Sequence, residues 1–444
     1  PGSTSRYLTS YGIDFNLEVF YPTLIKLFGK ELEVMKEQMD ADPAVRIAYA
    51  DNYAGIANTW KNFIGQSKML VRNKVTDKKK AIESDFIAWY SANPDRQKKY
   101  GSVLEDLKTN YAEMKRLAKP YFYANLAGNG LDIVGFAGQF GELKSLLEKK
   151  NKEGIKVAQE SLKEVVKESF DETNLTVSKN TLAAMLQMYS KDVPKGELPS
   201  IFALIEKEYN NDFKAFAEEV YATSVFATPE RANAFIEKPS LKVFKKDLGY
   251  KLHESMVEAG GKYMAAYSTA RGNVSVANRK FIAGIREMNP QLVKYPDANS
   301  TMRMTYGSVK DYYPADAVHY DFTTTIKGIM QKEDPSNDEF IVEKKLKDLY
   351  KSKDYGQYGE NGELIVCFLT TNDITGGNSG SPVINGNGEL IGIAFDGNWE
   401  AMSGDIMFEP DMQRTINVDI RYVLFIIDKF AGATNLINEL TLVK

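Results

Sequence analysis

The chain has 444 residues, long enough for two or three ordinary domains, and its 43% hydrophobic and 26% charged residues are those of a globular protein. Its formal charge of −4 comes from many charges of both signs, so no basic excess points to nucleic acid, and no RNA- or DNA-reading motif is present. No apolar run reaches the ~18 residues that crossing a bilayer needs, so no membrane span is expected.

The first residues, Pro1-Gly2-Ser3-Thr4-Ser5-Arg6-Tyr7, carry neither an initiator Met nor the basic, apolar and small segments of a signal peptide. They begin as if inside a turn. Residue 1 is therefore read as a truncation or cleavage point, and the compartment is not read from this end.

From about Val19 to Met288 helical patterning dominates. Ser102-Val103-Leu104-Glu105 has the form of a capping box, in which Ser and Glu satisfy each other's free backbone donors. Leu104, Leu107, Tyr111, Met114 and Leu117 follow at spacings of three and four, with Pro120 expected to end the helix. Leu182, Met185, Leu186 and Tyr189 repeat the pattern, as do Leu241, Phe244, Leu248 and Leu252. Lys and Glu crowd the other faces, as in Glu148-Lys149-Lys150-Asn151-Lys152-Glu153, and are read as solvated helix surface. There is no fixed-period repeat, which disfavours a solenoid.

The character changes near Asn289-Pro290. Thr301 to Tyr306 alternates like a strand, and Phe340 to Tyr350 reads as a short helix. Cys367, the only cysteine, lies in the apolar run Leu364 to Leu369; alone it excludes an internal disulfide and any cysteine-rich metal site, and it reads as core packing. Ser381 to Ile384 and Glu389 to Phe395 flank Asn385-Gly386-Asn387-Gly388, a strong hairpin signal. Tyr422 to Ile427 and Phe430 to Leu440 are expected to form a closing helix. The fold class expected is α+β: a large all-helical domain followed by half of an antiparallel β-barrel domain. The expected divisions are a trailing segment of a first half (1–18), a helical domain (19–288) and a C-terminal half (289–444).

Chemistry concentrates in Thr375-Gly376-Gly377-Asn378-Ser379-Gly380-Ser381-Pro382-Val383. Flanking glycines let the backbone turn sharply and put the Ser379 hydroxyl in the open. The amides of Gly377 and Ser379 can then converge on one point as an oxyanion hole. The loop followed by the hairpin resembles the nucleophile loop of bacterial trypsin-like peptidases.

Further segments sharpen the resemblance: Asn372-Asp373-Ile374, Phe395-Asp396-Gly397-Asn398-Trp399-Glu400, Gly404-Asp405, Tyr295-Pro296-Asp297-Ala298-Asn299 and Arg414-Thr415-Ile416-Asn417-Val418-Asp419-Ile420-Arg421-Tyr422. From end to end the chain resembles the bacterial dipeptidyl-peptidase 7/11 family of chymotrypsin-like serine exopeptidases, most of all its dipeptidyl-peptidase 7 branch. That family inserts a helical domain between two halves of a double barrel. The resemblance implies that Ser379 is the nucleophile and that Asp396 binds the free α-amino group of the peptide, setting a two-residue ruler. It implies that Gly397 lies at the S1 pocket, where members selecting acidic P1 side chains have arginine, so that P1 here is hydrophobic. Phe395 completes the substrate-binding set.

The resemblance also implies peptide substrates with a free N-terminus, a homodimer, and the periplasm or cell surface of a Gram-negative bacterium. It implies no cofactor and no metal, in keeping with the absence of a His/Cys cluster from the sequence.

A triad needs a base and an acid that orients it. In the resembled family both come from a first barrel half, which would precede Pro1. Only His253 and His319 occur. His253 sits among Leu252 and Met256 in a helical run, and His319, in Ala317-Val318-His319-Tyr320-Asp321, falls in the wrong half of the fold. The missing N-terminal half is thus an expected partner, and this chain alone is expected to be nearly inactive. Two alternatives stand beside this reading. Asp373, six residues before Ser379, has the spacing of an aspartate that selects basic P1 side chains in a trypsin-like endopeptidase. The chain could also be a noncatalytic peptide-binding module.

Overall fold

Amphipathic helices occupy nearly all of residues 10–288 in the computed structural model, which describes residues 2–170, 173–292 and 295–443. Pro1, at the head of the first expected segment, lies outside the described residues. Two compact units are formed: Thr9–Ile64 with Lys80–Asn289, and Pro1–Leu8 with Gly65–Lys79 and Pro290–Lys444. The stretch 65–79, inside the helix-rich part of the sequence, thus belongs by its contacts to the strand-bearing unit.

In the helical unit, helix Leu248–Met288 packs along helix Val103–Ala124. The positions marked by spacing, Leu104, Leu107, Tyr111, Met114 and Leu117, are all buried, as are Leu182, Met185, Leu186 and Tyr189 on helix Leu175–Asp192. Three details differ from the sequence reading. Ser102 makes no capping bond, because its backbone is already helical and its hydroxyl bonds Asp106 at 3.0 Å instead. Pro120 lies inside its helix rather than ending it; the helix runs on to Ala124, where burial of Tyr123 and Ala124 offsets the lost backbone bond. The run through Leu241 and Leu252 is two helices, broken at Asp247. This buried carboxylate caps the second helix through the Tyr250 amide at 3.0 Å and takes the Ser224 hydroxyl and the Val225 amide at 2.8 Å each.

Phe86 anchors the packing beneath the long helix. Its ring meets Tyr90, Tyr100 and Phe281 edge-on at centroid distances of 5.2, 5.8 and 5.2 Å.

The second unit carries seven strands among the described residues: β1 (Tyr312–Ala315), β2 (Val318–Tyr320), β3 (Thr323–Thr325), β4 (Ile365–Thr370), β5 (Pro382–Ile384), β6 (Leu390–Gly397) and β7 (Thr415–Asp419). β1 and β2 form a hairpin, and the other five an antiparallel sheet in the order β3-β4-β7-β6-β5. The expected half barrel is therefore an open sheet: β3 and β5, each three residues long, stand at opposite edges and do not pair. Thr301 to Tyr306 forms no strand either. It is held by Arg303 on the Asp373 carbonyl at 2.8 Å and by the Asp373 amide on Thr305 at 3.0 Å. Its alternation survives in exposure, with Met302, Met304 and Tyr306 98, 91 and 89% exposed. The β5–β6 hairpin forms as expected, its turn closed by the Asn385 side chain on the amides of Asn387 and Glu389. The short helix is Lys344–Ser352, and the closing segment breaks into helix Ile420–Phe425, a wide turn Ile426–Phe430 and helix Thr434–Asn438. Ile326, Leu346, Tyr355, Leu364 and Phe425 form the core of this unit.

Phe86→Ala is expected to destabilise the helical unit by about 3–5 kcal/mol, the usual cost of emptying a buried aromatic site. Chemical unfolding followed by circular dichroism checks it; a loss below ~1 kcal/mol would show that Phe86 is not an anchor.

Candidate active site

The glycine-rich loop that carries Ser379 leaves β4 at Thr370 and enters β5 at Pro382. Within it, Asn378 is buried and pins the turn: its side chain accepts from the Thr375 amide at 3.2 Å, and its amide donates to the Thr375 carbonyl at 3.1 Å. The Ser381 amide returns to the Asn378 carbonyl at 2.9 Å, and the Gly380 amide reaches Ala394 on β6 at 2.8 Å. Gly377 and Gly380 both adopt positive φ, 85° and 83°. They throw the chain outward on either side of Ser379, which is exposed. Among the described residues, the Ser379 hydroxyl and the amides of Gly377 and Ser379 make no hydrogen bonds. A free hydroxyl beside two free amides is the disposition an acyl-transfer site needs before substrate arrives.

The loop is anchored from below by the first residues of the chain. Ser3 bridges Asn299, and the Thr4 hydroxyl bonds Asp297 at 2.8 Å, as does the Arg6 amide at 2.6 Å. Gly2 passes so close to the loop that a Cβ there would lie 1.7 Å from the Gly376 carbonyl oxygen. Arg6 then reaches Asp373, with Nη2 at 2.7 and 2.8 Å from the two carboxylate oxygens. Its other terminal nitrogen bonds the Tyr295 hydroxyl at 3.1 Å, and its guanidinium lies 5.9 Å from the Phe408 ring centre. Asp405 is half-buried in the same neighbourhood. Burial pushes its carboxyl up, against the Thr375 hydroxyl and the Arg6 and Arg303 charges, which pull it down. Asp373 is therefore spent on Arg6, not offered to a basic P1 side chain.

Asp396 and Gly397 end β6. A bulge between Ala394 and Asp396 shifts the register against β7, so Phe395 and Asp396 are both exposed. The Asp396 carboxylate accepts the Gly397 amide at 2.8 Å. A Cβ at Gly397 would lie 3.0 Å from the Ala401 methyl, so Ala401 walls this position. Asn398 knots the strand end to β7: its amide donates to the Arg414 carbonyl at 3.0 Å, and its side chain takes the Arg414 amide at 2.9 Å and gives to the Met412 carbonyl at 2.8 Å. Arg414 is fully buried, donating to the carbonyls of Asp311, Pro410, Asp411 and Gln413 at 2.7–3.1 Å. Burial lowers its pKa.

Neither histidine meets Ser379. His319 pairs with Asp311 at 2.7 Å and stacks on Tyr313 at 4.5 Å. His253, in helix Leu248–Met288, packs over Gly138 and beside Tyr250, and burial lowers its pKa. Cys367 lies on β4 and burial raises its thiol, as suits packing rather than reactivity. Among the described residues no group of three or more His, Cys, Asp or Glu side chains could hold a metal.

The Peptidase S46 profile matches residues 1–442. The chain belongs to the Peptidase S46 family. Among S46 relatives, dipeptidyl-peptidase 7 of Phocaeicola vulgatus is 40% identical over 447 residues, and that of Porphyromonas gingivalis 41% over 449. The Asp/Glu-specific dipeptidyl-peptidase of Flavobacterium psychrophilum is 37% identical over 448 residues. Each alignment takes in all of this chain and 62% of the relative, so the chain spans less than two thirds of those S46 proteins. The crystal structure of Porphyromonas endodontalis DPP11 with the dipeptide Arg-Glu superposes with a TM-score of 0.90 at 31% identity, over 99% of this chain and 63% of that one. The resemblance read from the motifs is thus a family membership. The hydrophobic P1 preference is not carried by these S46 relatives, some of which are named for acidic specificity.

Sequence reasoning passed over the roles of Arg6 and Arg414. Both stand in quoted segments, but no spacing rule links residue 6 to residue 373, and an arginine bonded to backbone carbonyls leaves no pairwise trace. Arg6→Ala is expected to cost about 2–3 kcal/mol, below the ~3–5 of a fully buried pair because Asp373 stays a quarter exposed. In a double-mutant cycle, Asp373→Asn added to Arg6→Ala should cost much less than it does alone; additive losses would mean that the pair is not coupled.

Proposed function

We propose that the protein is a serine exopeptidase releasing dipeptides from the free N-termini of peptides, with Ser379 as nucleophile. One observation carries the reading: an exposed serine between two positive-φ glycines, with its hydroxyl and the Gly377 and Ser379 amides all unengaged. In the proposed reaction the Ser379 hydroxyl attacks the second peptide carbonyl, and the oxyanion takes those two amides. The shorter leaving peptide departs with a proton, and water releases the dipeptide from the acyl-enzyme. Asp396, exposed at the end of β6, takes the substrate ammonium, so the distance from Asp396 to Ser379 sets the length removed. The dipeptide complexes of DPP11 support a site of this length.

The general base is proposed to be a histidine from a further peptidase half outside residues 1–444. His319 is committed to Asp311, His253 is held in a helix, and the relatives extend well beyond the matched region. A periplasmic or cell-surface location and a homodimer belong to the same proposal and rest on family membership.

At P1 the proposal is a hydrophobic side chain, because Gly397 brings no cation to the position walled by Ala401. Acidic P1 is the second reading, favoured by the relatives named Asp/Glu-specific. The basic-P1 endopeptidase is disfavoured by the Arg6–Asp373 pair.

In the full-length protein, free-amine dipeptide reporters with Leu, Phe or Met at P1 should be cleaved, and N-blocked versions hardly at all. Ser379→Ala should lower kcat by about 10⁴-fold or more. Asp396→Asn should lower kcat/KM by about 10–100-fold on free-amine substrates, the loss of one charge-assisted bond. Equal cleavage of blocked reporters would remove the Asp396 assignment, and peptide binding without turnover would make the protein a noncatalytic binding module.

Gly397→Arg should move the preference at P1 toward Asp and Glu, read as the ratio of kcat/KM on Glu and Leu reporters. A wild-type protein already faster on Glu would establish the second reading.

A further inference from the structure

Three side chains with no part in the proposed reaction meet behind the substrate-binding end of β6. Glu400 is 8% exposed. One of its carboxylate oxygens accepts the Asn398 side-chain amide at 3.1 Å, and the other faces the Arg72 guanidinium at 3.4 Å. Arg72 also donates to the Pro314 carbonyl on β1. Beside it Asn73, itself buried, donates to the Ser403 hydroxyl at 3.0 Å, and Ser403 is 1% exposed. Gly65 completes the contact: a Cβ there would lie 2.7 Å from Met402 and 3.1 Å from Trp399.

Residues 65–73 come from the helix-rich part of the sequence, yet these contacts all fall within the strand-bearing unit. They hold the turn Trp399–Ser403. That turn carries Ala401, the wall at Gly397, and the Ala401 amide bonds the Asn398 carbonyl at 2.9 Å. Glu400 therefore stands at a junction. On one side is Arg72, and on the other is Asn398, which ties the end of β6 to Arg414. A buried carboxylate shared between a guanidinium and an amide keeps its geometry, because releasing either partner leaves polar groups unpaired away from water.

We propose that Glu400 is a positioning residue for substrate selection: it passes the hold of Arg72 to Asn398 and, with Asn73 on Ser403, fixes Ala401 against Gly397. It acts through these neighbours and does not touch the substrate. What the edge binds rests on the peptidase reading; how the edge is held rests on the geometry alone. A wall held from behind discriminates side chains by fit, whereas a wall free to shift accepts them more alike. Loosening it should raise KM and flatten the P1 profile before it lowers kcat.

The test compares the full-length protein with its Arg72→Met, Arg72→Lys and Glu400→Gln variants on free-amine reporters carrying Ala, Leu, Phe or Glu at P1. Folding is least at stake at Arg72, whose side chain is 40% exposed. Arg72→Met should raise KM about five- to tenfold, the loss of one charge-assisted bond, with kcat within about twofold of the wild type. It should also narrow the spread of kcat/KM across the four reporters. Arg72→Lys, which keeps the charge, should lose less. Glu400→Gln, which keeps an acceptor for Asn398 but not the ion pair, should behave as Arg72→Met does. Amide hydrogen exchange on the same proteins without substrate gives a second readout. Arg72→Met should speed exchange at Asn398 and Ala401 and leave β4 and β7 as they were. A fall in kcat with KM unmoved, an unchanged P1 profile, or a lysine variant no better than methionine would overturn the proposal. So would exchange that rises across the whole sheet or nowhere. A wild type that cleaves none of the reporters fails the peptidase reading instead, and the exchange measurement still decides whether Arg72 and Glu400 hold this edge.

Discussion

The loop that carries Ser379 is held by one ion pair. Asp373 opens the loop, and Arg6 holds it from the other end of the chain, 367 residues away. Around that contact the loop's other supports assemble: Arg303 on the Asp373 carbonyl, Thr305 on its amide, and Asp297 on Thr4 and the Arg6 amide. A loop with two positive-φ glycines has much backbone freedom to lose, and these contacts remove it. The free hydroxyl of Ser379 and the free amides beside it can then stay unbonded without the loop collapsing on them.

The same logic holds at the end of β6. Exposed Asp396 bonds only the adjacent Gly397 amide, and Gly397 has no side chain, so their placement falls to their buried neighbours. Asn398 ties the strand to Arg414, and Arg414 gathers carbonyls from Asp311 to Gln413. Burying a guanidinium costs solvation, which five backbone acceptor contacts offset. Rigid, buried polar groups thus flank each exposed residue of the candidate site.

The two units handle buried charge differently. In the strand-bearing unit the carboxylates near the loop face arginines. In the helical unit Asp247 is satisfied by amides and a hydroxyl, whereas Glu31 has no hydrogen-bond partner among the described residues, and burial first, then the Asp132 charge, pushes its carboxyl up to about 7.

The sequence by itself determined the helix-rich first part, through three- and four-residue spacing, and the glycine-rich loop around Ser379 with its hairpin, through glycine chemistry and β-rich alternation. These signals are local: a turn residue or a helical stripe acts within a few positions along the chain. Only the tertiary structure decided what long-range contacts decide. It left the sheet open because β3 and β5 end up on opposite edges. It carried the helix past Pro120 because Tyr123 and Ala124 found a core, and it kept Thr301–Tyr306 out of the ladder because that segment bonds the Asp373 turn instead. It also gave Asp373 to Arg6. Spacing from Ser379 made Asp373 eligible for a specificity pocket, and nothing local could reveal that a guanidinium from the sixth residue would claim its carboxylate.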